Sequence, residues 1–297
     1  MSSLSPRVVL VTRPTELAAL LSHHGTRGQA EFFLSSRGQS FDEVARRDAI
    51  QEEAIARAKR AVPNDWSFAH VWRDDLNRFL FFPNDIVVGL GQDGLVANLA
   101  KYLDGQPVLG VSPDLASSEG VLARHGLDQL DGLLRRAAHQ DVDISARSMV
   151  QARSSNGDSL RALNELFIGH RSHQSARYDL SFDGVTEFQS SSGLIVSTGT
   201  GLTGWARSIM AATQAHFDVN PEDASAVFFA REPWPSAISG AELRCGVVDD
   251  GHPLEIVSRN NDSGVIFADG IEQDFLRFDW GTTAQIGVAE QRFNLVV

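Results

Sequence analysis

A glycine-rich turn between a strand and a helix is the feature that most constrains this chain of 297 residues. Residues 85–88 predict a buried strand, residues 89–94 read GLGQDG, and residues 94–103 predict a helix that leads to a further strand at 108–111. A strand, a glycine turn, a helix and a second strand form one βαβ unit. Such units build parallel sheets with helices on both faces and bind their ligands at the carboxyl ends of the strands.

The rest of the N-terminal half also indicates a parallel α/β sheet. Residues 7–11 (RVVLV) predict a first buried strand, and residues 68–72 predict another. Ser40 and Glu43 have the spacing of a capping box, and the apolar residues that follow recur on one helical face up to a proline, which predicts a helix. Residues 127–139 predict the last helix of this half.

After about residue 142 the pattern changes to short alternating runs separated by Gly, Ser, Asn and Asp, which indicates a mostly β half. We expect one helix at 202–217 and strands that include 176–182, 194–197, 227–230 and 284–288. The sequence therefore predicts two domains, a Rossmann-like α/β domain at 1–142 and a β-rich domain at 143–297.

Charge and cysteine content exclude several classes of function. The formal net charge of −12 makes the surface repel nucleic acids and anionic membranes, so we expect neither as a partner. Cys245 is the only cysteine, which excludes an intramolecular disulfide and a multi-cysteine metal site and fits a cytoplasmic protein. No stretch has the apolar length of a secretory signal or a membrane helix. The His23–His24 and His170–His173 pairs lack an acidic partner at helical spacing, so we predict no protein metal site.

The GLGQDG turn admits three interpretations. Gly89, Gly91 and Gly94 match G-x-G-x-x-G, and with Asp114 placed 20 residues after the last glycine they fit the pyrophosphate turn of an NAD-dependent oxidoreductase. Asp93 argues against this interpretation, because its carboxylate would repel a pyrophosphate. In a phosphoryl-transfer enzyme, by contrast, an aspartate near the accepting hydroxyl can take or orient its proton. The third interpretation is a plain turn that needs an Asp-Gly pair for its backbone conformation.

Three segments, in one order along the chain, resemble motifs of the NAD kinase family. Residues 91–95 (GQDGL) resemble its GGDGT loop, residues 162–169 (ALNELFIG) its asparagine–glutamate motif, and residues 190–205 (SSSGLIVSTGTGLTGW) its glycine- and threonine-rich segment. Further stretches are similar to the mitochondrial-type branch in particular, namely 110–120 (GVSPDLASSEG), 231–233 (REP) and 265–270 (VIFADG). The resemblance extends from about residue 85 to the C terminus.

This resemblance implies an enzyme that transfers the γ-phosphoryl group of ATP, with Mg²⁺, to the 2′-hydroxyl of the adenosine ribose of NAD, giving NADP. Asp93 would then be the catalytic base or orienting group. Asn164 and Glu165 would engage the adenine and the ribose, Asn164 as donor and acceptor and Glu165 as an acceptor only. The other residues that the resemblance assigns to the nucleotide site are Gly91, Gln92, Gly94, Ser192, Thr198, Thr200, Gly201, Thr203 and Trp205. The resemblance also implies a homodimer.

Two residues depart from the GGDGT loop. Gln92 stands at its second glycine and adds a side chain where backbone would approach phosphate. Leu95 stands at its threonine and removes a hydroxyl that could bind phosphate or cap the helix. The asparagine–glutamate pair and residues 197–205 are better kept. Three hypotheses follow: an NAD kinase; an NAD(H)-binding sensor or pseudokinase of the same fold; and another nucleotide or alcohol kinase, or an NAD-dependent oxidoreductase.

Overall fold

The protein is described by a computed structural model that covers residues 6–115 and 120–297. Residues 116–119, which belong to the 110–120 resemblance, lie outside the described residues. The chain divides into two compact units, one formed by Met1–Tyr102, Gln106–Ile144 and Leu295–Val297, the other by Leu103–Gly105 and Ser145–Asn294. In the described ranges, no helix combines the length and the apolar character needed to span a membrane.

The first unit contains a sheet with parallel strands and the helices that pack on it. Its strands are β1 (Arg7–Thr12), β2 (Ser67–Trp72), β3 (Asp85–Leu90), β4 (Pro107–Ser112) and the short β5 (His125–Gly126). Its helices are α1 (Glu16–His24), α2 (Arg27–Ser35), α3 (Phe41–Ala61), α4 (Asp93–Leu99) and α5 (Leu130–Ala138). β1 pairs in parallel with β2 and β3, and β4 pairs in parallel with β3 and β5.

Helices cover both faces of this parallel sheet, which is why its central strands are apolar throughout. Val8 of β1 and Ile86 of β3 lie in one buried cluster with Ile55 of α3. Gly89 of β3 alternates to the opposite face, where an added Cβ would meet Val96 of α4 at 3.2 Å. The loop after β3 therefore leaves the carboxyl edge of the sheet between two helical layers.

The remaining strands are short and mostly antiparallel. They are β6 (Ile144–Arg147), β7 (Val150–Ser154), β8 (Ser159–Ala162), β9 (Glu165–His170), β10 (Ala176–Phe182), β11 (Val185–Ser191), β12 (Leu194–Thr198), β13 (Ala226–Ala230), β14 (Cys245–Val248), β15 (Leu254–Ser258), β16 (Gly264–Ala268), β17 (Ile271–Arg277), β18 (Thr283–Val288) and β19 (Phe293–Val296), with α6 (Trp205–Thr213) after β12. β19 and β6 join the first sheet beyond β4, so the C-terminal strand does not belong to the β-rich sheets.

Two antiparallel sheets form the second unit, and they pack face to face. Their strand orders are β11-β10-β15-β18-β7-β8 and β14-β13-β12-β9-β16-β17. Tyr178 and Ile256 of one sheet share a buried cluster with Ile168 and Phe228 of the other. Helix α6 covers the outer face of the second of these sheets, where Ala206 packs with neighbouring β13 residues. β9, β12 and β13 are therefore buried on both faces, which explains their continuous apolar sequences.

The predicted fold class, an α/β N-terminal half and a β-rich C-terminal half, is confirmed. The predicted helix after Ser40 is also confirmed, since the Ser40 hydroxyl accepts a hydrogen bond from the Glu43 amide at 3.3 Å. The predicted helix at 202–217 is too long. It ends at Thr213 because Gln214 adopts a left-handed conformation (φ +57°). The half-buried Phe217 nevertheless packs against the cluster under α6, with its ring 5.6 Å from that of Phe229, so the apolar pattern continues without a helix.

Candidate functional site

Asp93 is the first residue of α4 rather than a member of the preceding loop, since α4 begins one residue before the predicted start. A carboxylate at this position interacts favourably with the helix dipole. Its two oxygens accept hydrogen bonds from three successive backbone amides, those of Val121 (3.1 Å), Leu122 (3.0 Å) and Ala123 (2.8 Å). Asp93 therefore fixes the 121–123 segment to the start of the helix.

Gly110 of β4 makes this arrangement possible. A Cβ at that position would stand 1.9 Å from the carbonyl oxygen of Leu122, so no other residue type allows the segment to approach so closely.

The other residues of the loop differ in their roles. Gln92 is the exposed N-cap of α4, makes no capping bond, and accepts a hydrogen bond from the Arg13 guanidinium at 3.3 Å. Leu95 is buried, with 1% of its surface exposed, and lies against Gly91, where a Cβ would meet its side chain at 3.0 Å. Gly94 is exposed and a Cβ there would meet nothing within 4 Å. The close packing of helix and strand that the third glycine of a dinucleotide turn permits is therefore absent at Gly94.

A cavity of about 450 Å³ opens at the carboxyl edge of this sheet in the first unit. The residues that line it include Gly91, Gln92, Arg13, Arg46, Arg47, Glu16, Asp48 and Asp114. Its lining thus contains both positively and negatively charged side chains. The Arg47 guanidinium forms an ion pair with the Glu16 carboxylate at 2.6 Å. Asp114 lies two residues after the end of β4, and its amide donates to the Ser112 hydroxyl at 3.2 Å.

In the second unit, several of the residues predicted to recognise NAD form one hydrogen-bonded cluster where β9 begins and β12 ends. The Thr198 amide donates to the Asn164 carbonyl at 2.9 Å, and the Thr198 hydroxyl donates to the Leu163 carbonyl. The Ser197 hydroxyl also donates to the Asn164 carbonyl, at 3.3 Å. The backbone of the asparagine–glutamate motif is thus held by the last residues of β12.

The turn after β12 continues this cluster. The Gly201 amide donates to the Thr198 hydroxyl at 3.2 Å, and a Cβ on Gly201 would stand 2.2 Å from the Asn164 carbonyl oxygen. The Thr203 hydroxyl donates to the Thr200 carbonyl at 2.9 Å. Thr200 is buried, and its hydroxyl accepts from Arg147 at 3.3 Å. Glycine is therefore required at 201 by close approach, not by an unusual φ.

Glu165 has the most strongly altered acid–base behaviour in this cluster. Only 8% of its surface is exposed. Burial, followed by the nearby negative charge of Asp269, raises the pKa of Glu165 from 4.5 to about 8. The carboxyl group therefore holds its proton at neutral pH in the free protein and can donate one hydrogen bond. Sequence analysis treats Glu165 as an acceptor only, and the protonated form adds a donor to this role.

Trp205 and Ser192 lie away from these hydrogen bonds. The Trp205 ring stacks on Phe167, with centroids 6.1 Å apart and planes at 9°, and the Arg231 guanidinium lies 5.1 Å from its centroid. Ser192 is exposed at the opposite end of β12, about 20 Å of extended chain from Thr198. Its amide donates to the Arg231 carbonyl at 2.8 Å. Ser192 therefore does not share the Asn164–Thr198 cluster.

Two residues that support this cluster were missed by sequence reasoning, Asp269 and Arg147. Asp269 stands in the VIFADG stretch, where an Asp-Gly pair predicts only a hairpin turn. Its carboxylate accepts the amides of residues 163–165, about a hundred residues away in sequence. No local pattern could have indicated this contact. Arg147 is buried with 7% exposure, which its sequence context does not predict.

Comparisons with known proteins concern the fold. No protein-family model and no curated protein matches the sequence. Among solved structures, an NAD kinase from Archaeoglobus fulgidus in complex with ATP is similar with a TM-score of 0.58 and 19% identity, over 98% of this chain and 93% of that chain. Yeast NADH kinase complexed with NADH is similar with a TM-score of 0.58 and 15% identity, over 99% of this chain and 84% of that chain. The chain has the two-domain fold of the NAD kinases.

Proposed function

We propose that this chain is an NAD kinase that transfers the γ-phosphoryl group of Mg·ATP to the 2′-hydroxyl of the adenosine ribose of NAD. The observation that carries the proposal is the hydrogen-bonded cluster of Asn164, Glu165 and Thr198 where β9 begins and β12 ends, in a chain with this fold. Such a cluster offers fixed donors and acceptors for an adenosine group. The stretches that resemble the mitochondrial-type branch support membership of that branch, and the same resemblance supports a homodimer.

Nucleotide recognition is assigned to the second unit. The Asn164 side chain is half-buried, and it can donate to and accept from an adenine edge. Glu165 can accept from ribose hydroxyls once it loses its proton, or donate to the ligand while it keeps it. Buried partners of this kind make binding selective, because a ligand that lacks the matching group leaves them without a partner.

We assign to Asp93 the role of accepting the proton of the reacting ribose hydroxyl. In the reaction the ribose oxygen forms a bond to the γ-phosphorus, the bond to the bridging oxygen of ADP breaks, and the hydroxyl proton passes to a carboxylate. Three backbone amides hold the Asp93 carboxylate in one orientation. A carboxylate with a fixed orientation is better placed to accept a proton than a mobile one.

Two observations favour a kinase over an oxidoreductase that uses GLGQDG as a pyrophosphate turn. Gly94 serves no close packing, and α4 spans only Asp93–Leu99 before a 3-10 turn replaces it. A dinucleotide turn normally uses its third glycine to bring the following helix onto the strand. The oxidoreductase hypothesis also predicts that Asp114 binds the ribose, so Asp114→Ala should abolish NAD binding under that hypothesis and leave it unchanged under ours.

An NAD(H)-binding sensor or pseudokinase is the second candidate, and the loop itself favours it. Gln92 places a side chain beside Arg13, and Leu95 fills the helix start with a buried apolar group where a hydroxyl is expected. Both features reduce the polar groups available to a transferring phosphate. A sensor would bind NAD through the second unit without forming NADP.

The decisive experiment measures NADP formation from NAD or NADH with Mg·ATP, beside NAD binding by calorimetry. We expect wild-type protein to form NADP, and Asp93→Asn to lower kcat by about 100-fold or more, the usual contribution of a positioned base. NAD affinity should change little in that variant. Tight NAD binding without NADP formation would support the sensor and overturn the kinase, and absence of NAD binding would overturn both.

A further inference from the structure

Two hairpin turns of the β sandwich share the same local structure but make different contacts. Asp183–Gly184 joins β10 to β11, and Asp269–Gly270 joins β16 to β17. Both aspartates have φ +49°, and the glycines have φ +75° and +71°. A left-handed aspartate followed by glycine is the common sequence for a two-residue hairpin turn. The turn alone therefore explains the glycines, but it does not require a carboxylate.

The carboxylate of Asp269 reaches outside its own hairpin. Its Oδ1 accepts from the amides of Asn164 at 2.7 Å and Glu165 at 3.2 Å, and its Oδ2 accepts from the amide of Leu163 at 3.0 Å. The Asp269 amide donates in return to the Glu165 carbonyl at 3.0 Å. Asp183, in contrast, is largely exposed, and its Oδ1 lies 4.0 Å from Nε2 of the exposed His252.

These bonds enclose the asparagine–glutamate motif from two sides. β12 holds the Asn164 carbonyl through Ser197 and Thr198, and Asp269 holds the amides. The direction in which a side chain leaves the backbone is set by the peptide groups on either side of it. With these groups fixed, the Asn164 and Glu165 side chains are pre-organised before a ligand arrives.

We propose that Asp269 is a positioning residue for dinucleotide recognition, whose carboxylate fixes the backbone of residues 163–165 so that Asn164 and Glu165 present their side chains to NAD. The inference rests on the proposed function, since it assumes that these two side chains bind NAD. This role of Asp269 depends on the charge of its carboxylate, because an ionised acceptor binds three amides more strongly than a neutral one.

The charge of Asp269 has a second consequence for Glu165. Together with burial it raises the pKa of Glu165, so removal of that charge should let Glu165 ionise at a lower pH. If ribose hydroxyls donate to Glu165, NAD binds the ionised form more tightly, and affinity increases as pH rises through about 8. The pH at which affinity rises therefore depends on the charge of Asp269, whereas a simple loss of packing would leave that pH unchanged.

The test compares Asp269→Asn with Asp183→Asn, a matched change at the same turn geometry. NAD affinity is measured by calorimetry from pH 6 to 9. We expect Asp269→Asn to weaken NAD binding by about ten-fold or more and to move the rise in affinity to lower pH, because it removes a charged acceptor. Asp183→Asn should change neither. Equal effects of the two variants, or weakened binding with an unmoved pH dependence, would overturn the proposal.

A measurement on wild-type protein covers the case in which Asp269→Asn does not fold. Hydrogen exchange of the Leu163 and Asn164 amides should be as slow as that of strand amides before NAD is added, since Asp269 already binds them. Exchange at the rate of an open loop would overturn the proposal. Wild-type protein that binds no NAD would overturn the proposed function and this inference together. Wild-type protein that binds NAD, with both aspartate variants alike, would overturn this inference alone.

Discussion

Glu165 illustrates how one buried side chain links folding to pH. Its pKa in the folded protein is about 8, whereas the ordinary value is 4.5. Between these values the folded chain binds a proton that the unfolded chain has released, so the free energy of unfolding falls as pH rises through this window. The stabilising contribution is complete below about pH 4.5 and is lost by about pH 8.

Glu165→Gln should remove this dependence, because glutamine does not titrate. The difference in free energy of unfolding between the variant and wild type should increase in favour of the variant by a few kcal/mol as pH rises from 4.5 to 8. Each unit by which the pKa is raised corresponds to ~1.4 kcal/mol. Denaturant unfolding at several pH values measures this difference. Glu290→Gln, at an exposed position, is the control. Parallel wild-type and Glu165→Gln curves across the window would show that Glu165 titrates normally.

Gln92 tests how a side chain at the loop affects phosphoryl transfer. If backbone at this position approaches phosphate, Gln92→Gly should raise kcat/KM for Mg·ATP by about five-fold, which corresponds to ~1 kcal/mol. Gln92→Ala, which removes the contact with Arg13 but keeps a Cβ, is the matched variant and should gain less. Steady-state NADP formation measures both. A loss of activity in Gln92→Gly would show that Gln92 itself contributes to the site.

At the level of the elements, the sequence predicts what depends on local pattern. The apolar runs of β1 and β3, the Ser40 cap of α3 and the alternation in β10 each follow from neighbours in sequence, and each is found in the structure. Helices α1 and α2 were not predicted, because each has nine residues and buries two at most. Short helices with so few buried positions lack a clear periodic pattern.

The candidate site depends on contacts that local sequence patterns do not predict. The residue types of Asn164, Glu165 and Asp93 are visible in the sequence, but their partners are not. The amides that hold Asp93 lie 28 to 30 residues away, and those that hold Asp269 more than a hundred residues away. Burial of Glu165, and with it the raised pKa, depends on packing between distant strands. Long-range contacts of this kind leave no periodic signal in one sequence.

Gly110 is an element-level position at which a small change should have a large effect on both stability and activity. An added Cβ would stand 1.9 Å from the Leu122 carbonyl, so Gly110→Ala must displace either β4 or the 121–123 segment. We expect the free energy of unfolding to fall by about 2–3 kcal/mol, as in other overpacked sites, and NADP formation to fall because the amides that hold Asp93 move. Gly132→Ala in α5, where a Cβ meets nothing within 4 Å, should instead stabilise the chain by roughly 0.5–1 kcal/mol. Chemical denaturation of both variants compares them, and equal stability would contradict the contact.

For the whole molecule, the two units carry separate parts of the proposed reaction. Asp93 and the 450 Å³ cavity belong to the first unit, and the Asn164–Thr198 cluster belongs to the second. The net charge of −12 means that a phosphorylated ligand must be held by local amides and side chains, because the overall field repels it. Ligand binding should therefore depend on local structure within each unit rather than on bulk charge.

This division predicts where NAD stabilises the protein. At a concentration of 100 times its dissociation constant, NAD should raise the free energy of unfolding by ~2.7 kcal/mol through mass action. In hydrogen exchange, protection should appear first in residues 163–165, where β9 begins, and in residues 198–203, since Thr198 bonds to Asn164 and Gly201 bonds to Thr198 in the cluster assigned to adenosine. Nicotinamide mononucleotide, which lacks adenosine, is the ligand control and should leave these segments unchanged. Protection confined to the first unit, or equal protection by both ligands, would show that Asn164 and Glu165 do not recognise the adenosine group.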